Sequence, residues 1–323
     1  MRSVLRLGNL LAIGCLVSLV SSRSIRADDL PIPTIVEGSV LPPDAAMALY
    51  VRPAELASSK SAAPIVEAFD AVLEPLKLGL SVADIEEFKI VFIIDQQAGL
   101  EGVILVVRAR AAHDWKPMFD AQGKWKEEEF QGRKVFRRVS RQAYWLPDER
   151  TAVFTESRNA TMLARSMGSP DPQDKAAWFE AWSEAARRPL AGLIDMRVLS
   201  GGNPGRDEDP LAVLATDAKY AVASGYFTIG GFQLEGSITT DSPQAAARVA
   251  PATSQVLVDF VEEMFEAVPL EDDDKAGLAA QLNEFLGKSR IKTDGKLVKA
   301  EGRFTTKMIQ VICDAAKKVA KRM

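Results

Sequence analysis

Residues 89–110 read KIVFIIDQQAGLEGVILVVRAR, and this stretch decides the fold. Two apolar runs, 89–94 and 100–110, lie on either side of the polar turn 95–99. Runs of strand length that are rich in Val and Ile, and that are separated by a short turn containing Gly, predict a β-hairpin. The rest of the chain is organised around this hairpin and around similar ones.

Helices and further strands surround the hairpin in the first half of the chain. A short strand at 47–51 precedes it, and Pro64 then begins a helix in which apolar residues recur every three or four positions. Ser81 and Asp84 predict a capped short helix that ends at Phe88. The elements predicted after the hairpin are a short helix at 114–119, strands at 124–130, 135–139, 143–146 and 151–155, and a helix that ends at Met167.

The second half restates this order. Its predicted elements are a strand at 190–199, a helix at 210–216, a hairpin of 220–229 and 232–239, helices at 243–268 and 275–286, a hairpin of 290–293 and 296–304, and a helix at 306–321. The triplet Leu-Glu-Gly at 100–102 recurs at 234–236, and Ala-Glu-Gly stands at 300–302. This order predicts an α+β fold of two similar halves, 42–168 and 172–323, with antiparallel sheets and helices packed on one face. One continuous sheet through both halves is compatible with the same order.

The first 27 residues have the order of an export signal. Arg2 and Arg6 precede the apolar run 7–20, and small residues follow it as far as Ala27. We expect cleavage after Ala27, then a Pro-rich tether at 28–41, and a mature chain that works in the periplasm or outside a bacterial cell. The apolar run is shorter than the roughly 20 residues of a membrane span, and no later run is long enough. A retained anchor and a lipoprotein are the alternatives.

Charge and cysteine content restrict the partners of the mature chain. The whole sequence has 40 basic and 44 acidic residues, a net charge of −4. Loss of residues 1–27 removes four arginines and no acid, so the net charge becomes −8. An acidic protein is repelled by polyanions, which argues against nucleic acid as a partner. Cys313 becomes the single cysteine, so no disulfide within the chain is expected.

Common catalytic and cofactor motifs are missing from the sequence. His113 is the single histidine, and zinc sites, catalytic triads and Cys–His pairs require imidazole. The P-loop, dinucleotide and nucleophile-elbow patterns do not occur either. The acidic run 271–274 lacks the interleaved glycine of a calcium loop. The sequence therefore predicts a protein that is not an enzyme and that has no cofactor and no metal.

A basic and aromatic segment at 108–145 supplies the candidate ligand residues. Arginines and lysines are interleaved there with aromatic rings on predicted strands. Such a surface holds anionic polymers or glycans by charge and by ring stacking, whereas a solvated sheet face above core aromatics explains the same pattern without a ligand. The candidate ligand-binding residues are Trp115, Trp125, Arg137 and Trp145.

Two tryptophans follow the boundary between the halves. Trp178 and Trp182 share one face of a predicted helix, because they are four residues apart. They are candidates for a surface that contacts a partner. Packing between the two halves is the alternative explanation.

The opening of the mature region, LPPDAAMALYVRP at 41–53, resembles the start of exported bacterial proteins of unknown function, in which a Pro-Asp-Ala lead enters a first strand. The resemblance covers these residues only. It implies a bacterial envelope setting and no activity.

The sequence is compatible with three functions. The absence of catalytic motifs beside a well-patterned fold favours an exported non-catalytic envelope protein that binds or scaffolds an unknown protein, glycan or lipid. It would use its sheet faces and the groove between its halves. One alternative is a hydrolase based on carboxylates and arginines, with Asp195 and Arg197 on a strand beside Arg52. The other is a carrier of an apolar ligand, in a cavity lined by Val103, Leu105, Val107, Phe227 and Phe232.

Overall fold

Twelve strands form one sheet in the computed structural model, and every neighbouring pair is antiparallel. The structure describes residues 40–58, 62–67, 79–95, 99–120, 124–138, 142–157, 163, 166–167, 176–196, 209–228, 231–267 and 272–320. Helices pack on the sheet, so the predicted α+β class is confirmed. The predicted export signal and most of the tether lie outside the described residues.

The three hairpins predicted from the sequence are antiparallel strand pairs of the sheet. The strands are β1 Ala45–Val51, β2 Ile85–Asp95, β3 Gly99–Ala109, β4 Lys126–Phe130, β5 Arg133–Arg137, β6 Gln142–Asp148, β7 Thr151–Ser157, β8 Leu190–Asp195, β9 Ala218–Thr228, β10 Gly231–Thr240, β11 Arg290–Asp294 and β12 Leu297–Thr305. The helices are α1 Pro53–Ala57, α2 Pro117–Asp120, α3 Phe179–Ala185, α4 Pro210–Asp217, α5 Pro243–Ala267, α6 Asp272–Lys288 and α7 Thr306–Ala320. A 3₁₀ turn at Val82–Asp84 precedes β2.

The sheet is organised around the pair β1 and β8. The strand order is β4-β5-β6-β7-β3-β2-β1-β8-β9-β10-β12-β11. From β1 the sheet continues through the hairpin β2–β3, and from β8 it continues through the hairpin β9–β10. One continuous sheet therefore joins both parts of the chain at β1 and β8, where Tyr50 lies opposite Ala191. The division into repeats at 42–168 and 172–323 stays a prediction.

The two faces of the sheet carry separate cores. On β2 and β3, Val91 and Ile104 belong to one buried cluster and Ile90 and Leu105 to another. Successive side chains of a strand point to opposite faces, so we call the face of Val91 face 1 and the face of Ile90 face 2. The helix α3 packs in the face 1 cluster and α2 in the face 2 cluster. Helices therefore cover both faces and not one, because β2 and β3 are apolar at consecutive positions.

The region before β2 differs from its prediction. Ser81 and Asp84 form the expected capping box, with the Ser81 hydroxyl donating to the Asp84 carboxylate at 2.6 Å. That hydroxyl and the Ser81 N–H hold the pKa of Asp84 below its usual value. The helix ends after one turn because Ile85 is already paired with Ala109, so the ladder of the central hairpin takes residues 85–88.

Candidate functional site

Two large apolar side chains are exposed where the two parts of the sheet meet. Leu49 of β1 is 38% exposed and Ile194 of β8 is 39% exposed. Leu49 lies opposite Ile90, and Ile194 lies opposite Met47, two residues from Leu49 on the same strand. Both side chains are therefore on face 2. Leaving such side chains in water adds nothing to the stability of the fold.

A row of small residues crosses the sheet from this point. Gly192 of β8, Ala223 of β9, Gly236 of β10 and Ala300 of β12 lie opposite one another in succession, and Leu49 of β1 lies opposite the first of them. Adjacent strands are about 4.8 Å apart, so the row from Leu49 to Ala300, which crosses four strand spacings, is about 19 Å long. We call this row the groove floor.

Among the described residues, side chains do not fill the space above the two glycines of the groove floor. A Cβ atom placed on Gly192 would meet only the carbonyl oxygen of Ala48, at 4.0 Å. A Cβ atom on Gly236 would have its nearest contacts with β9 itself, at 3.6 to 3.9 Å. Gly225 is different, because the ring of Phe232 occupies the position of its missing side chain. Among the described residues, a side chain therefore covers Gly225, whereas the nearest atoms to a Cβ on Gly192 or Gly236 belong to the neighbouring strands.

Helices stand on both sides of the groove floor. On one side, α4 and α5 pack over Ile238 and Val298 in a buried cluster. On the other side, Ile309 and Cys313 of α7 pack with the ring of Phe232. Within the described part of the chain, no residue of the groove floor belongs to either cluster. The result is an apolar groove with an apolar floor and apolar walls.

Charged side chains near the groove point to the other face. Glu235 and Glu301 adjoin Gly236 and Ala300 in sequence, and they lie opposite each other on face 1. The hydroxyl of Tyr226 donates to Glu235 at 2.8 Å there. The groove itself therefore presents carbon surface, which suits an apolar ligand.

Trp115 and Trp145 lie on opposite faces of the sheet. Each is 1% exposed, Trp115 in the face 2 cluster and Trp145 in the face 1 cluster. The Trp115 indole N–H donates to the carbonyl of Glu149 at 3.3 Å, and the Trp145 indole N–H donates to the hydroxyl of Ser166 at 3.1 Å. These two rings are core side chains with satisfied donors, so the prediction that they stack on a ligand is wrong.

The other two candidate ligand residues also have structural contacts. The Trp125 indole N–H donates to the carbonyl of Phe119 at 3.1 Å. The guanidinium of Arg137 lies 5.5 Å from the centre of the Phe130 ring, and its Nε is 3.4 Å from the Glu128 carboxylate. Trp125 and Arg137 are thus used within the fold, which is what the alternative explanation of a solvated face above core aromatics predicts.

Trp178 and Trp182 are buried, at 2% and 0% exposure. They pack in the face 1 cluster with Val91 of β2 and Leu193 of β8. The prediction of a partner surface on these tryptophans is therefore wrong. The two rings join side chains from both sides of the β1–β8 pair, which is what the alternative of packing between the two halves predicts.

The residues of the predicted catalytic site, Asp195, Arg197 and Arg52, are not brought together by the fold in the described part of the chain. Arg52 follows β1 and its N–H donates to the carbonyl of Pro189, whereas Asp195 is at the far end of β8, beyond the pair of Met47 and Ile194. About five residues of extended chain, or roughly 17 Å, separate the two ends. Arg197 lies outside the described residues. Asp195 and Arg52 therefore do not form one site.

The five residues predicted to line the cavity of an apolar carrier do not line one cavity. Val103, Leu105 and Val107 are buried in the face 2 cluster, so they form solid core. Phe232, in contrast, is part of a wall of the groove. The sequence does contain a signal for the groove, because glycines inside predicted strands mark places of close approach. Their alignment across four strands is not visible until the register is known.

The largest pKa shift among the described residues is that of Tyr50, and it arises from packing in the core. The Tyr50 hydroxyl donates to Glu87 at 3.1 Å, and burial, followed by the charge of Glu87, raises the pKa of Tyr50 well above its usual value. Tyr50 is a member of the buried cluster on face 1 and does not line the groove, which is on face 2. In the described ranges, no three metal-ligating side chains lie together, and no helix is long and apolar enough to cross a membrane.

No family model matches this chain, and no curated protein matches it. The chain is similar to solved structures titled "Structure of crystal form III of TP0453" and "Structure of crystal form IV of TP0453". The first has 11% sequence identity and a TM-score of 0.44, and the similarity covers 90% of this chain and 100% of that chain. The second has 12% identity and a TM-score of 0.46, with coverage of 87% and 96%.

Proposed function

We propose that this chain is an exported, non-catalytic binding protein of the bacterial cell envelope, and that its ligand is an elongated apolar molecule held in the face 2 groove. The observation that carries the proposal is that, among the described residues, the nearest atoms to a Cβ on Gly192 or Gly236 belong to the neighbouring strands, next to the exposed side chains of Leu49 and Ile194. The groove floor is about 19 Å long and one row of side chains wide. This shape suits a single acyl chain better than a compact ring system.

The binding energy comes from removing carbon surface from water. Each CH₂ group that enters the groove contributes about 0.8 kcal/mol before the cost of ordering the chain. Affinity should therefore rise with the length of the alkyl chain until the groove is full. A protein surface that binds detergents without a defined groove has no such limit.

Export and the lack of catalysis are supported by the sequence. The order of residues 1–27 is that of a cleaved signal, and the chain contains one histidine and none of the common catalytic motifs. The groove adds an apolar site without a charged or nucleophilic group on its floor.

The test is a competition titration on the mature chain. A fluorescent acyl probe is bound first and then displaced by fatty acids of increasing chain length. We expect the dissociation constant to fall with each added CH₂ and then to level off. A constant that does not depend on chain length, or the absence of saturable binding, would contradict the proposal.

Two variants locate the ligand. Leu49→Asn places a polar group at the exposed start of the groove floor and should weaken binding severalfold. Glu301→Gln is the matched control, since it adjoins Ala300 but points to face 1. It should bind the probe as the wild type does. Mass spectrometry of protein isolated from envelope extract should find a bound lipid, whereas a stoichiometric protein partner would favour the scaffolding function instead.

A further inference from the structure

A second concave site lies at one end of the central strands. It is an open cleft of about 470 Å³, which is within the usual range for small-molecule sites. The lining residues are Arg52, Ala54, Glu55, Ser58, Glu86, Arg110 and Arg150.

The sheet brings these residues together from four separate segments. Arg52 follows β1, Glu86 is at the start of β2, Arg110 follows β3, and Arg150 lies between β6 and β7. Two hydrogen bonds fix the arrangement. The backbone N–H of Arg110 donates to the carbonyl of Asp84 at 2.8 Å, and the side-chain Nε of Arg150 donates to the carbonyl of Ala109 at 3.0 Å. The cleft is therefore built on strand ends that the ladders hold in place.

Arginines already neutralise both carboxylates of the lining. The Arg52 Nη1 is 2.6 Å from the Glu55 carboxylate. The Arg150 guanidinium donates to Glu86, and the Arg108 Nε lies 3.8 Å from the same carboxylate oxygen. Glu55 and Glu86 are therefore both already paired with arginines other than Arg110.

Arg110 supplies excess positive charge. It is exposed, and, after the hydrogen bonds from Ser81, its positive charge also helps to lower the pKa of Asp84, whose carbonyl accepts the Arg110 N–H. The lining contains three arginines and two glutamates; with Arg108 beside Glu86 and Asp84 beside Arg110, four cations stand against three carboxylates, an excess of one. The chain as a whole has a net charge of −4, so this cationic cleft is a local property and not the general charge of the protein.

We propose that the cleft binds a phosphate group, either as the free ion or as part of a small phosphomonoester. Guanidinium groups present parallel N–H donors that match the oxygens of a phosphate, and Arg pairs with such anions in a bidentate way. Arg110 makes the primary contact, and Arg52 and Arg150 supply positive charge from the walls. This site is independent of the apolar groove and does not require the acyl ligand.

The test is calorimetric titration of the mature chain with inorganic phosphate and, separately, with glycerol 3-phosphate, at constant ionic strength. Arg110→Gln removes the exposed guanidinium and should weaken binding at least about tenfold. Arg303→Gln is the matched control, an exposed arginine on β12, and should leave the affinity unchanged. Glu55→Gln removes a competing anion and leaves Arg52, which still donates to the carbonyl of Arg187, without its ion-pair partner, so it should tighten binding severalfold.

Preferential binding of glycerol 3-phosphate would identify a phosphomonoester, and equal binding of both probes would identify the phosphate group alone. Each of these results supports the site. The proposal is overturned if neither probe gives saturable heat, if chloride at the same ionic strength competes equally, or if Arg303→Gln weakens binding as much as Arg110→Gln. Unfolding curves of all three variants confirm that they are folded, and the exposure of the substituted side chains predicts near wild-type midpoints.

Discussion

Replacing Gly236 by valine should make the protein more stable and close the groove at the same time. A Cβ atom at this position has its nearest neighbours at 3.6 to 3.9 Å, which is ordinary van der Waals contact. Glycine inside a strand costs about 0.5 to 1 kcal/mol relative to alanine, and valine is favoured on strands. We therefore expect the free energy of unfolding to rise by about 1 kcal/mol.

Gly225→Val is the matched variant with the opposite sign. The space beside Gly225 is occupied by the ring of Phe232 and by the side chain of Leu190, so a larger residue overfills it. Overpacking of this kind costs about 1 to 3 kcal/mol. Both variants add the same atoms to neighbouring strands of one sheet, and they differ in whether the space is free.

Urea unfolding and displacement of the acyl probe together decide the outcome. Gly236→Val should shift the unfolding midpoint upward and reduce probe affinity by at least about tenfold, since about 1.4 kcal/mol of lost contact is a factor of ten. If Gly236→Val is destabilised like Gly225→Val, the space above the groove floor is filled in solution. If it is stabilised but binds the probe with wild-type affinity, the ligand lies elsewhere.

Three further predictions concern the rest of the molecule. Burial and Glu87 raise the pKa of Tyr50, so its contribution to stability is present below the unfolded pKa of about 10 and is lost as the pH rises above that value. Tyr50→Phe should therefore lessen the alkaline loss of stability in unfolding measurements, and an unchanged pH profile would contradict this. The Asp209 carboxylate accepts the N–H of Leu211 at 3.0 Å at the start of α4, so Asp209→Ala should lower the free energy of unfolding by about 1 kcal/mol, whereas Asp209→Asn should lower it less. The intact mass of the native protein should correspond to a chain that begins at Asp28, and a retained Met1 would refute cleavage.

Local signals were sufficient for many of the elements. The apolar runs of the central hairpin appear as β2 and β3, because their Val and Ile residues fit a strand that is buried on both faces. Pro210 and Pro243 begin α4 and α5 as predicted, since proline is favoured in the first turn and Asp209 caps the first of these helices. These features depend on residues that are neighbours in the chain.

Features that depend on distant strands could not be read from the sequence. The pairing of β1 with β8 joins residues that the chain separates by many other elements. Trp178 and Trp182 were ambiguous for this reason, because their burial depends on which strands meet beneath them. The groove floor and the cleft lined by Arg52, Arg110 and Arg150 each combine residues of four or more segments. Neither therefore forms a motif of neighbouring residues in the sequence.

The position of β1 has a consequence for the emerging chain. Its partner β2 follows soon after, but β8 is made only when all of residues 52–189 have already been synthesised. Until then the backbone of β1 is an unprotected sheet border with apolar side chains on either side, the type of surface that recruits chaperones or aggregates. A nascent chain stalled before Pro189 would keep this border permanently open, and such fragments should self-associate.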